Sequence, residues 1–310
     1  MRHALNILLA ALLALCLSCG KGSRPPSVLY VNPTTTTPQL AWLQAEPRLS
    51  NLLDGVERRQ WRSQAQLQAL LLAGKGDFWI GSLETMAKCR AKGAPVKLLA
   101  VTGWRKWSLI GARSPHGWSE ALKAPAILTA PPDNPAATLL AGMLQAKGLP
   151  IPRFQFCEPK QLSLQMLASE TSPALVASPM AEAILAQNHS LVRIAHLESV
   201  KAELFGGEAR LPWAGVACNA ETVPPEKAAL LLEALLQADQ ALHTMTPEEI
   251  AGLWPAEYHQ LVAPEKLRLS LEHDLLLLEP AASVRAEIET FLKLAGLPQE
   301  TDWILEPEVN

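Results

Sequence analysis

The chain has 310 residues, with 27 lysines and arginines against 30 aspartates and glutamates, for a formal charge of -3. That balance excludes a dedicated nucleic-acid binder, which needs a basic excess to meet phosphates; 49% hydrophobic against 18% charged residues excludes a disordered chain. Its 25 prolines and 17 glycines are spread along the whole sequence, and no repeat of fixed period is present, so coiled coil, collagen and solenoid are excluded as well.

Residues 1–18 read as an export signal. Arg2 supplies a positive charge, and Ile7 to Leu17 form an apolar run free of charge. At about 11 residues the run is too short for a bilayer, which takes roughly 20, and it fits the apolar region of a secretory signal. It ends in Leu17-Ser18-Cys19-Gly20, similar to the processing site of bacterial lipoproteins, although Cys16 stands where an aliphatic residue is usual. Cys19 is thus the expected lipidation site, with an ordinary cleaved signal or an uncleaved anchor as the other readings. A lipid there ties the chain to a membrane face without a spanning helix. Residues 19–26 form a linker. The remaining cysteines, Cys89, Cys157 and Cys218, are odd in number and lack CxxC spacing. They read as buried apolar fillers, with one disulfide plus a free thiol as the alternative.

The elements then alternate. Val28 to Val31 is a short apolar strand that stops at Asn32-Pro33 and the run Thr34 to Thr37. Thr37-Pro38 predicts a helix start, since a hydroxyl cap followed by proline suits a first turn. A helix follows over 39–45, another over 64–73, a strand over 77–80, a helix from Leu83 to Ala91 and a strand over 97–101. The style recurs with a strand at 126–130, a helix opened by Asn134-Pro135, a strand at 153–157, a helix at 161–170 and a strand at 173–177. Ser178-Pro179 opens a further helix, and a loop is expected from Ile194 to Trp213. A strand at 215–219 precedes a helix at 225–245. Thr246-Pro247-Glu248-Glu249 is a capping box with proline in the first turn. Helices near 266–271 and 283–295 close the chain. Strands alternating with helices of this length predict an α/β fold in two units, each with a mostly parallel sheet.

Several chemistries lack their residues. There is no phosphate loop, no nucleophile elbow and no dinucleotide fingerprint. The seven histidines form neither HExxH nor a pair at helical spacing, so no metal or cofactor is expected. The positive pattern is the repeated strand-to-helix turn at Thr37-Pro38, Gly81-Ser82, Asn134-Pro135 and Ser178-Pro179. In an α/β sheet such turns lie at the strand carboxyl ends, where ligands bind. Trp104, Trp107, Trp118 and Trp213 fall in loops or at strand ends, placed either to wall a cleft or to pack the core.

From Gly76-Asp77-Phe78-Trp79-Ile80-Gly81-Ser82 through Ala91-Lys92-Gly93-Ala94-Pro95-Val96-Lys97 the chain resembles the solute-binding proteins of ABC importers in the nitrate, sulfonate, taurine and thiamine-pyrimidine-precursor group. Leu211-Pro212-Trp213-Ala214-Gly215-Val216 is similar to that family's return crossing, and the order of elements matches over most of 28–300. The resemblance implies a two-lobed type II periplasmic-binding-protein fold with a two-stranded hinge. Lobe one would hold 27–113 and 214–310, lobe two 114–213, with crossings near 113–117 and 210–213. It implies no catalysis and no cofactor: a monomer would close on a small-molecule solute and pass it to an ABC permease. The solute contacts would be Asn32, Thr34, Thr37, Gly81, Ser82, Thr102, Trp104, Asn134, Ala136, Ser178, Met180 and Trp213. The turn Pro131-Pro132-Asp133-Asn134 departs from the family's small hydroxyl residues, and Asp133 would repel an anion. That favours an organic solute larger and less charged than nitrate or a small sulfonate. The other readings are a sensor or scaffold of the same fold without a permease, and an enzyme on this fold.

Overall fold

The computed structural model describes residues 25–131, 134–168 and 172–306. The export signal and Cys19 lie outside the described residues, as do Pro132 and Asp133.

Two sheets organise the chain. The first has six strands: β1 (Ser27–Val31), β2 (Val56–Gln60), β3 (Phe78–Ser82), β4 (Val96–Gly103), β10 (Ala214–Asn219) and β11 (Glu279–Pro280), in the order β11-β4-β10-β3-β1-β2. The second has five: β5 (Trp107–Ala112), β6 (Ile127–Thr129), β7 (Phe154–Phe156), β8 (Ala174–Ala177) and β9 (Leu191–His196), in the order β7-β6-β8-β5-β9. Twelve α-helices lie among the described residues. They are α1 (Leu40–Leu52), α2 (Gln64–Leu72), α3 (Leu83–Arg90), α4 (Gly117–Ala121), α5 (Pro135–Ala146), α6 (Pro159–Ala168), α7 (Met180–Gln187), α8 (Leu197–Phe205), α9 (Pro225–Leu242), α10 (Pro247–Gly252), α11 (Pro264–Leu271) and α12 (Arg285–Leu294).

Both sheets are mixed, and the crossings explain why. Strands β1, β2, β3 and β4 share one direction, with β10 antiparallel to β3 and β4. In the second sheet β6, β7, β8 and β9 share a direction, with β5 antiparallel to β8 and β9. β5 and β10 are the strands that follow a crossing. The chain enters each sheet from the side where the other strands end, so it must run the opposite way. The carboxyl ends of β1, β3, β4, β6, β8 and β9 therefore face the junction between the sheets. The two crossings are hydrogen-bonded to each other: Leu211 N–H donates to Trp104 O at 3.1 Å and Trp213 N–H to Gly103 O at 2.8 Å.

Period-two burial assigns each strand residue to a layer. Phe78 and Ile80 face a cluster with α1 and α9, whereas Trp79 faces the opposite side. Ile110, Leu128 and Val176 pack beneath α6 and α7. The inner faces of both sheets share one large cluster, which joins Trp79, Val101 and Leu109 to Leu139 of α5 and Phe291 of α12.

Several elements differ from the sequence reading, among them α4 and β11, which it did not contain. β5 lies within the stretch assigned to lobe one, yet it pairs in the second sheet, so the first crossing is residues 104–106 rather than 113–117. β2 was not foreseen because Val-Glu-Arg-Arg-Gln is an edge strand, largely exposed and hence without an apolar pattern. α8 occupies the expected loop; it buries Leu197 and Val200 while Glu198 fills a polar role described below. The helix opened at Thr37-Pro38 starts as a 3-10 turn over Thr37–Gln39 and then runs to Leu52. Cys89, Cys157 and Cys218 are buried free thiols, and burial pushes Cys89 up to about 11.

Candidate functional site

The predicted turns do not all present free groups. After β1, Asn32 Oδ1 accepts from the Thr34 N–H at 2.8 Å and from Thr34 Oγ1 at 2.7 Å; Thr34 is exposed, whereas Thr36 and Thr37 are buried. After β3, Gly81 packs against Leu67 and Trp61, and Ser82 Oγ caps α3 by accepting from Thr85 N–H at 3.3 Å. Near the end of β4, Thr102 is buried with its Oγ1 unpartnered. In the turn after β6, Asn134 Oδ1 caps α5 at the Ala136 and Ala137 N–H groups, and its amide donates to Thr129 Oγ1 at 2.7 Å. Ala136 is fully buried in the inner core. After β8, the Ser178 N–H donates to Lys106 O at 3.0 Å, and Met180 is half-buried over the outer core of the second sheet.

The tryptophans take the packing alternative. Trp104, Trp107 and Trp213 all belong to the inner core. Trp213 lies 6.1 Å from Trp107 and meets Phe291 edge-on at 5.5 Å. Trp104 is fully buried beneath the Arg210 guanidinium, whose carbon lies 4.8 Å above the ring. Trp118 is partly buried and its Nε1 donates to Glu203 at 2.5 Å.

The strongest polar feature of the junction escaped the sequence reading. Lys106 Nζ lies 2.6 Å from Asp274 Oδ2, with side chains 7% and 1% exposed. Thr37 Oγ1 donates to the same carboxylate oxygen, and Lys106 Nζ lies 3.3 Å from that hydroxyl. So the first crossing, the turn after β1 and the segment after α11 meet at one buried ion pair. Beside it, Glu182 of α7 pairs with Arg193 of β9, and His273 Nε2 lies 3.7 Å from Glu182 Oε2. Arg193 Nε donates to Ser108 Oγ at 3.0 Å, and Ser108 Oγ lies 3.3 Å from His196 Nδ1. Burial, aided by the Arg193 charge, pushes the His196 imidazole down to about 4, and the same causes lower His273. No local motif announces this network, because its members are scattered single residues.

Glu198 ties the two crossings together. Its Oε1 accepts from Trp213 Nε1 at 2.5 Å and from the Lys106 N–H at 3.2 Å, while Oε2 is buried without a partner. Burial pushes this carboxyl up to about 7, since a charge far from water is costly.

One cavity of about 240 Å³ opens between the two halves, lined by Gln64, Gln68, Ser82, Glu84, Lys88 and Pro135. Ser82 and Pro135 bring the turn after β3 to the turn after β6, so this cavity unites two of the predicted turns. A larger, shallow groove near Leu164 lies on the outer side of α6, away from the junction. Among the described residues no cluster of His, Cys, Asp and Glu has a metal-binding arrangement, and no helix is long and apolar enough to cross a membrane.

Two mixed sheets joined by paired crossings, with strand ends facing a polar junction, define the periplasmic-binding-protein fold. Solved structures agree. An ABC transporter protein from Parabacteroides distasonis matches at TM-score 0.67 and 17% identity, over 91% of this chain and 98% of its own. The periplasmic aliphatic sulphonate binding protein of Escherichia coli matches at TM-score 0.67 and 16% identity, over 90% of this chain and 91% of its own. The periplasmic nitrate-binding protein of Synechocystis matches at TM-score 0.61 and 15% identity, over 89% of this chain and 83% of its own. No protein-family model and no curated protein sequence matches the chain. Of these three neighbours two are periplasmic binding proteins, for aliphatic sulphonate and for nitrate, and the third is an ABC transporter protein.

Proposed function

We propose that the chain is an exported solute-binding protein, lipid-anchored through Cys19, which captures a small organic solute between its two sheets and delivers it to an ABC permease. The observation that carries this reading is the convergence of strand ends from both sheets, with the cavity between Ser82 and Pro135, on a junction crossed twice by the chain. Solute contacts are assigned to the turns after β1, β3, β4, β6 and β8. Closure around the solute supplies the signal to the permease, with the closed form favoured by its higher affinity. The lobes divide at residues 104–106 and 206–213, and the chain acts as a monomer.

The test is a thermal-shift screen of the purified chain against nitrate, sulfonates, taurine, pyrimidines, purines and amino-acid-like compounds. A ligand selective for the fold stabilises it by about 2.7 kcal/mol at 100 times Kd. A reproducible shift, weakened by substitution of Ser82 or Thr37, is expected. A well-folded chain that answers to nothing in the panel shifts the reading to a sensor or scaffold of the same fold.

A further inference from the structure

The chain's own acids answer the cations withdrawn into the junction. Lys106 pairs with Asp274 at 2.6 Å, with side chains 7% and 1% exposed. Arg193 pairs with Glu182, and both side chains are largely buried. Arg105, beside Lys106 in the first crossing, is only partly buried, so water screens it. Lys106 stands where a solute's charge would be read. Its ammonium lies 3.3 Å from Thr37 Oγ1 in the turn after β1, and its carbonyl accepts from the Ser178 N–H in the turn after β8. Those two turns belong to different sheets, and both are assigned to the solute above. Yet Thr37 Oγ1 also donates to Asp274, so one carboxylate takes the ammonium and the hydroxyl together. An ammonium and a hydroxyl converging on one oxygen are the donors a bound anion needs. Here the anion is Asp274, carried into the junction by the segment after α11.

Resting on the solute-binding reading above, we propose that Asp274 is a built-in anion that sets the charge the cleft accepts. An anionic solute has two courses at Lys106. It can displace Asp274, which strands a buried carboxylate, or it can lie beside Asp274 and meet a like charge where screening is poor. Both are costly, and a solute without net charge avoids both. Asp274 thus determines specificity through Lys106 and needs no contact with the solute itself. The solute class is uncharged or zwitterionic organic molecules, in contrast to the sulphonate and nitrate named for two of the neighbours.

The experiment has two arms, both on the purified chain. In the first, calorimetric titration sets nitrate and methanesulfonate beside the pyrimidines, purines and amino acids of the screen. The wild-type chain is expected to give no binding heat with either anion. Asp274→Asn, which keeps the shape and drops the charge, should take up both with at least about tenfold higher affinity. In the second, Asp274→Ala is melted in sodium formate or acetate against sodium gluconate, a larger anion, at equal ionic strength. Formate or acetate should refill the vacated place and raise the melting temperature by about 2–4 °C. That rise should be absent from the wild type and from Lys106→Met/Asp274→Ala. If Asp274→Ala does not fold, the Asp274→Asn titrations decide. Binding of nitrate or methanesulfonate by the wild type overturns the inference and leaves the solute-binding reading standing. Variants no more responsive to anions than the wild type also overturn it, as does a response that survives the loss of Lys106. Variants that answer to anions, beside a wild type that answers to no compound at all, would keep the built-in anion and remove the solute-binding reading.

Discussion

Lys106 and Asp274 are 168 residues apart in sequence, and their side chains meet at 2.6 Å inside the junction. The pair joins the first crossing to the segment after α11, with Thr37 as a third member. Two charges withdrawn from water need each other, and removal of either leaves the other buried and unpaired. Lys106→Met is expected to cost about 3–5 kcal/mol in urea unfolding, whereas the double variant Lys106→Met/Asp274→Leu should recover most of it. Equal losses in the single and double variants would show that packing, not charge, governs the site.

Glu198 and His196, neighbours at the start of α8, give opposite pH slopes. Glu198 holds its proton up to about 7 in the fold, against 4.5 for an ordinary glutamate. Between these values the folded chain binds more protons than the unfolded one, so stability falls as pH rises through that window. His196 titrates near 4 in the fold against an ordinary 6.5. There the unfolded chain binds more protons, and stability is lost as pH falls from 6.5. The two slopes offset each other where the windows overlap. His196→Asn should therefore expose a loss of up to roughly 3 kcal/mol as pH rises toward 7, and Glu198→Gln the reverse slope below 6.5. Unfolding curves of both variants across this range check the assignment; curves that stay level in both would refute it.

Gly142 lets α5 lie directly against α12. A Cβ at this position would overlap the Leu294 carbonyl oxygen, which belongs to backbone and has little room to move. Gly142→Ala is expected to destabilise by about 1–3 kcal/mol through overpacking. Gly252, at the end of α10, has open space around its Cβ position, so Gly252→Ala should stabilise by about 0.4–1 kcal/mol. Thermal unfolding of the two variants should move in opposite directions.

Asn134 spends its side chain on the fold. It caps α5 and donates to Thr129 Oγ1. Asn134→Ala should cost about 1–2 kcal/mol, and Asn134→Asp, which keeps the cap and loses the donor, should fall between. If Asn134 also touches the solute, affinity in the titrations above should drop further than stability accounts for. A loss of stability with unchanged affinity would leave it a cap alone.

Much of the local structure was written in the sequence because its cause is local. Thr246 and Glu249 form their reciprocal cap from four consecutive residues. Phe78, Trp79 and Ile80 announce a strand buried on both faces, and Asn134-Pro135 fixes the start of α5. The order of such elements was enough to anticipate two α/β units, and the resemblance to the solute-binding proteins of ABC importers implied the periplasmic-binding-protein fold. It did not reveal β2, whose edge position leaves it polar, or the sheet to which β5 belongs, which depends on pairing with β8 and β9. Nor did it reveal the junction. Lys106, Glu182, Arg193, His196, Glu198, His273 and Asp274 look like ordinary surface residues when read along the chain. Burial makes them otherwise, and burial here is a property of two sheets brought together by two short crossings. Sequence determined which segments form strands and helices, since backbone preference and apolar period act over a few residues. Tertiary structure decided which charges lost their water and found each other, because electrostatic cost depends on surroundings that only the assembled chain supplies.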